Sequence, residues 1–199
     1  MPTIDELRRD AADCRRCELW KLGTQTVFGE GKVGELMLVG EQPGDAEDRA
    51  GHPFVGPAGK LLRTVLEEAG IAEDRVYLTN AVKHFKWRPG GAGGKRRIHD
   101  KPNVTEVKAC SHWLALELAA AHPKLVVCLG ATAAHSLIGP LARVGALRGE
   151  RLALEDGTPA LVTLHPSAVL RARDDRDARR AELLEDLRLA RATLDALVA

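Results

Sequence analysis

A membrane-spanning helix is not expected here, because the chain contains no run of about 18 consecutive apolar residues. Net charge is nearly absent as well: 29 Lys and Arg stand against 28 Asp and Glu, leaving +1. A global polycation is thereby excluded, and any affinity for nucleic acid must come from a local basic face. Internal repeats and a convincing linker are also missing. That leaves 199 residues, 45% of them hydrophobic, to a single domain spanning 1–199. The opening MPTIDELRRDAADC has no apolar signal-peptide core, so a cytoplasmic monomer is the expectation.

Cysteine is scarce, with four in all: Cys14, Cys17, Cys110 and Cys128. Disulfides are disfavoured in a reducing compartment, and a chain of this length does not need them. Cys110 and Cys128 can be read as buried core thiols, the latter inside the strand-like LVVCLG. The C-x2-C pair in CRRC has no such packing reason, and a four-thiolate metal centre is the stronger reading. Zinc and an iron–sulfur cluster both satisfy four sulfurs, and spacing does not choose between them.

Apolar runs alternate with helical patterns, as an α/β sheet requires. ELMLVGEQ (35–42), VYLTNAVK (76–83), LVVCLG (125–130) and PALVTLHP (159–166) read as strands. GPAGKLLRTVLEEAG (56–70), NVTEVKACSHWLALELAAA (103–121), ATAAHSLIG (131–139) and the segment from 177 to 198 read as helices. Asn103 and Glu106 have capping-box spacing. Leu183, Leu187, Ala190, Leu194 and Leu197 share one face of the last helix. GEGKVG (29–34) fits G-x-G-x-x-G but precedes a strand, the wrong order for a dinucleotide site. His52, His84, His112, His122 and His135 have no metal-ligand spacing and read as surface or packing residues.

Ligands of such sheets gather at the carboxyl ends of the strands. There the sequence places Glu41 and Gln42, Asn80 and His165, with Phe54 in the long first loop. An Asn amide reads both a carbonyl and an N–H of a planar base. An aromatic ring stacks on its face, and a histidine donates to an oxygen that gains charge as the base departs. The stretch GGAGGKRRIHDKPN (90–103) adds three cations, Lys95, Arg96 and Arg97, which suit phosphates, and then His99. Together these suggest a pocket for a flipped-out base.

GEQPGDAEDRAGHPFVGPAGKLL, LTNAVK and HPSAVLRA, with the four cysteines, resemble the family 4 uracil-DNA glycosylases that carry a [4Fe–4S] cluster. The resemblance runs from Cys14 to about Arg171. It implies a three-layer α/β/α uracil-DNA glycosylase fold with a central four-stranded, mainly parallel sheet. It also implies a [4Fe–4S] cluster on Cys14, Cys17, Cys110 and Cys128, and uracil-containing DNA as partner, preferably single-stranded, with free uracil as product. Uracil would be met by Asn80, His165, Phe54 and the backbone around Gln42, Gly44 and Asp45. Ser167 and Arg171 would contact the strand beside the flipped base.

Two features depart from ordinary family 4 sequences: Gln42 in the first motif, and the Lys-Arg-Arg-Ile-His segment. Both resemble a branch of the superfamily that becomes covalently joined to uracil-containing DNA, which implies His99 as the joining residue. Imidazole has an ordinary pKa of about 6.5, so much of it is neutral near pH 7 and nucleophilic. Glu41 would orient His99 or else stabilise positive charge at the sugar, the first being favoured because a nucleophilic histidine needs its other nitrogen tethered; Gln42 and Asp45 would help hold its loop, and Arg97 would brace the site. A glycosylase that turns over, and an iron–sulfur DNA-binding module without chemistry, are the alternatives.

Overall fold

The computed structural model describes residues 2–91, 93 and 96–198; Lys95 lies outside them. The strands are β1 (Glu30–Gly31), β2 (Leu36–Gly40), β3 (Val76–Asn80), β4 (Trp87–Gly90), β5 (Arg96–His99), β6 (Leu125–Leu129), β7 (Leu152–Ala153) and β8 (Pro159–Thr163). The helices are α1 (Ile4–Ala11), α2 (Asp45–Ala50), α3 (Pro57–Glu68), α4 (Val104–Ala121), α5 (Ala131–Leu137), α6 (Val144–Leu147), α7 (Pro166–Arg171) and α8 (Arg176–Val198).

The main sheet has the order β1-β3-β2-β6-β8-β7. Its four inner strands are parallel and carry the four apolar runs of the sequence. The expected four-stranded sheet is extended to six by β1 and β7, two-residue antiparallel strands at the edges. Strands that short carry no apolar period, so pattern alone does not reveal them.

Every residue of β2, β3 and β6 is buried, because helices cover both faces. Alternation along β2 sends Leu36 and Leu38 to one face and Met37 and Val39 to the other. The first face packs on α3 and α8 through Leu62, Val65, Leu187 and Ala190. The second packs on α4 and α5 through Leu114, Ala121, Ala133 and Ala134. Leu183, Leu187, Ala190 and Leu194 of α8 are fully buried, whereas Leu197 is exposed, one turn past the core.

The cationic segment, expected as a loop, is half of a hairpin. β4 and β5 pair antiparallel with Trp87 opposite His99 and Gly90 opposite Arg96. Gly90 lies against Ile98: a Cβ there would sit 2.0 Å from Ile98 Cδ1, so a larger residue would require that side chain to move. The capping box of Asn103 and Glu106 is present at the start of α4, just after the hairpin.

Candidate functional site

Parallel strands end at one edge, and each inner strand delivers a polar group there. β2 leads into Glu41, β3 ends at Asn80, β6 leads into Thr132 and β8 leads into His165. Glu41 is the hub. One carboxylate oxygen lies 3.2 Å from His99 Nε2, and the other accepts from the Thr132 hydroxyl. Burial alone would push the Glu41 carboxyl up, but the bonds from His99 and Thr132 and the nearby imidazoles outweigh it. It is held below the usual carboxylate range and stays ionised.

His165 behaves differently. Its Nδ1 accepts the Ser167 backbone N–H at 3.1 Å. That partner assigns the ring proton to Nε2, leaving a donor on the far side of the ring. Burial pushes its pKa down to about 4; Glu41 opposes this, while Arg171 and His99 reinforce it. The ring is therefore a neutral N–H donor at ordinary pH.

Phe54 stacks on His165 with centroids 6.2 Å apart and planes 27° apart. Its backbone is left-handed, φ +56°, and its carbonyl accepts from Arg63. Gly40 permits the crowding: a Cβ there would sit 2.4 Å from Asn80 Oδ1 and 2.7 Å from Phe54 Cζ. Asn80, Phe54 and His165 thus converge on one point at the sheet edge.

The hairpin that carries His99 is fastened on both sides. Gln42 donates through Nε2 to Asp100 O at 2.9 Å and Lys86 O at 3.2 Å, and its Oε1 accepts from Lys86 N at 3.0 Å. One side chain thereby staples both strand ends of the hairpin; its amide is fully used there. Arg97 reaches Asp45 and Asp48 of α2 and lies over the rings of Phe85 and Trp87. Burial disfavours its charge, but the two carboxylates raise its pKa above the ordinary value. The Trp87 indole donates to Leu22 O at 2.7 Å, and Lys86 pairs with Glu106 at 3.0 Å.

Of the cations expected on phosphate, Arg97 is committed to α2, while Arg96 is exposed beside Arg49 at a polar cleft. Gly44 caps α2 and donates its N–H to Glu47. Ser167 lies in the first turn of α7 and Arg171 ends that helix. Sequence reasoning missed Thr132, Asp48 and Thr24. Asp48 is fully buried and accepts from Thr24 N, the Thr24 hydroxyl and Arg97. The i, i+3 spacing of Asp45 and Asp48 was its only signal; nothing in the sequence marks Thr132.

The cysteines do not form the four-membered set expected from spacing. Cys14, Cys17 and Cys110 gather in one cluster with Leu7, Phe28 and Trp113. Cys14 Sγ accepts from the Trp113 indole at 3.1 Å and Cys110 Sγ from Lys83 N at 3.2 Å, N–H contacts that suit thiolate sulfur. Cys128 instead packs on the sheet with Met37, Val39, Ala133 and Ala134. It sits mid-strand in β6, so its side chain follows the sheet's alternation into that core. Among the described residues no three Cys, His, Asp or Glu side chains are drawn into a closed ligand set. The donor chemistry fits a thiolate-bound group at Cys14, Cys17 and Cys110. His84 is buried and meets Thr26, whose hydroxyl also bonds Ala11 O and Ala12 O just before Cys14.

Residues 28–188 match the model of the uracil DNA glycosylase superfamily. The chain is 36% identical over 180 residues to the type-4 uracil-DNA glycosylase of Thermotoga maritima, covering 89% of this chain and 88% of that one. It is 34% identical over 197 residues to the type-4 enzyme of Pyrobaculum aerophilum, covering 92% and 91%. The type-4 enzyme of Archaeoglobus fulgidus is 34% identical over 178 residues, covering 85% and 84%. No helix among the described residues is long and apolar enough to cross a membrane.

Proposed function

Because the chain belongs to the uracil DNA glycosylase superfamily, we propose that it excises uracil from DNA and then keeps the sugar on His99, in the manner of UdgX. The observation that carries this is the contact between His99 and Glu41, made by a hairpin that Gln42 and Arg97 hold in place. A histidine that only touched phosphate would need neither an ionised carboxylate on one ring nitrogen nor a fixed backbone.

The roles follow from the groups. Asn80 reads the edge of uracil, Phe54 stacks on the base, and backbone from Gln42 to Asp45 completes the pocket. As the C1′–N1 bond breaks, its electron pair leaves with uracil, and the neutral His165 N–H supports the anion. C1′ becomes electron-poor. A carboxylate facing one nitrogen of His99 holds the proton there and leaves the other nitrogen with its lone pair. That pair forms the new bond to C1′, and the imidazolium that results is stabilised by the ionised Glu41 carboxylate until its ring proton is lost to solvent. Water performs the same capture in a glycosylase that turns over. Holding the imidazole in place gives it the advantage of an intramolecular reaction.

Arg96, with Lys95 outside the described residues, would meet phosphates, as would Ser167 and Arg171 on the other side. Arg97 serves by holding the hairpin to α2. Extruding a base costs a few kcal/mol from a duplex and less from a single strand, so single-stranded DNA is the preferred substrate. A [4Fe–4S] cluster would be held by Cys14, Cys17 and Cys110 and would act structurally, bracing α4 behind the hairpin. One experiment tests the main reading. The protein is mixed with a uracil-containing single-stranded oligonucleotide and run on a denaturing gel. A boiled, detergent-resistant protein–DNA band is expected; free protein with abasic DNA would mean turnover, and intact uracil would mean a binding module without chemistry.

A further inference from the structure

Behind the pocket lies a buried ion pair that the steps above leave unused. The side chains of Lys83 and Glu117 are both fully buried and in contact. A buried pair is often no more stabilising than apolar residues of the same volume, so its presence calls for another reason.

The Lys83 ammonium has three donors and all are spent: on Glu117, on Thr79 Oγ1 at 2.7 Å and on Asn80 O at 2.7 Å. Glu117 also accepts from Gly29 N at 3.0 Å, the Tyr77 hydroxyl at 2.9 Å and the Thr79 hydroxyl at 3.0 Å. Room for this is built in: a Cβ on Gly29 would lie 2.3 Å from a Glu117 oxygen. Among the described residues the buried side-chain atom without a partner is Thr193 Oγ1 on α8, outside this network. Such a closed polar network is rigid.

What the network holds is the end of β3. After Asn80, the N–H groups of Ala81 and Val82 still bond Gly40 O and Glu41 O. Lys83 then folds back and fastens the Asn80 carbonyl, while its own backbone N–H meets Cys110. One residue therefore ties α4 and the cysteine cluster to the peptide that carries Asn80. With that peptide fixed from behind, and the amide wedged against Gly40 and Phe54 in front, Asn80 has little freedom to turn.

We infer that Lys83, held by Glu117, is a positioning residue for base recognition: it fixes the peptide of Asn80 and so aims the amide at the edge of uracil. This rests on Asn80 being the reader of uracil. The test replaces the charged pair by a neutral one, Lys83→Met with Glu117→Gln, since the glutamine carbonyl still accepts from Gly29 and Tyr77. The variant should fold, bind a uracil-free oligonucleotide within about twofold of wild type, and excise uracil roughly tenfold or more slowly in single turnover. Its preference for uracil over cytosine in matched oligonucleotides should narrow, a change that general loosening does not produce.

A folded variant that excises within about twofold of wild type, with its preference intact, would overturn the inference. So would a parallel loss of excision and of uracil-free binding, which marks collapse. Should the double variant not fold, Thr79→Val decides, because it removes one contact of both charged groups at nearly constant volume. A slower, less selective enzyme is expected, and an unchanged one would overturn the inference. Wild-type protein that releases no uracil at all would overturn the functional reading itself, and this inference with it.

Discussion

Two histidines approach Glu41 from different kinds of structure. His165 follows a central parallel strand, accepts from the backbone of α7 and stacks on Phe54; burial keeps it neutral. His99 ends the hairpin, and its side chain is 46% exposed with its Nε2 3.2 Å from a Glu41 carboxylate oxygen. In the proposed reaction the same side chain serves as a fixed donor in one place and as the nucleophile in the other, so that environment and not residue type would divide departure from capture.

Breaking the exposed member should have the largest effect. His99→Ala is expected to abolish the detergent-resistant band and release abasic DNA, because water takes the vacated place; the same gel reads it. Breaking the buried member should act on the other step. His165→Ala should slow uracil release by roughly 10² to 10³, as when an oxyanion donor is removed, measured as free uracil in single turnover.

The hairpin's anchorage sharpens the contrast. Arg97→Met leaves the buried Asp48 without its cation and frees β5, so covalent capture should fall about tenfold or more relative to uracil release. The ratio of adduct to abasic product checks it. Acidity separates the two rings further. In the His99→Ala background, excision should stay flat from about pH 8 to pH 5 and fall only towards pH 4. Protonation would place a hydrogen on His165 Nδ1 against the Ser167 N–H, and its pKa of about 4 puts that change there. A break near the ordinary imidazole value of about 6.5 would contradict the buried, neutral ring. The smallest effect belongs to the cysteines. Cys128→Ala should retain bound iron, while Cys14→Ser or Cys110→Ser should lose it, as read by visible absorbance and iron content.

Much of the sheet was legible because its four parallel strands are continuous apolar runs, and their polar ends follow from topology. Glu41, Asn80 and His165 are found in this way, whereas the approach of His99 to Glu41 is expected only through the family resemblance. The pieces that escaped depend on tertiary meeting. The hairpin pairs Trp87–Gly90 with Arg96–His99 across a glycine-rich cationic run that has no strand pattern, and Thr132 carries no pattern until α5 brings it to Glu41. Cys128 misled for the opposite reason: its spacing suits a ligand, but strand alternation turns it into the core. Lys83 and Glu117 look like surface charges in sequence, and only the fold buries them together.

Mass analysis of a digested reaction with uracil-containing single-stranded DNA tests the central claim most directly. The peptide spanning His99 should carry the mass of the deoxyribose-linked oligonucleotide fragment, with free uracil in equal amount. An unmodified His99 peptide beside released uracil, or sugar attached to a different side chain, would contradict it.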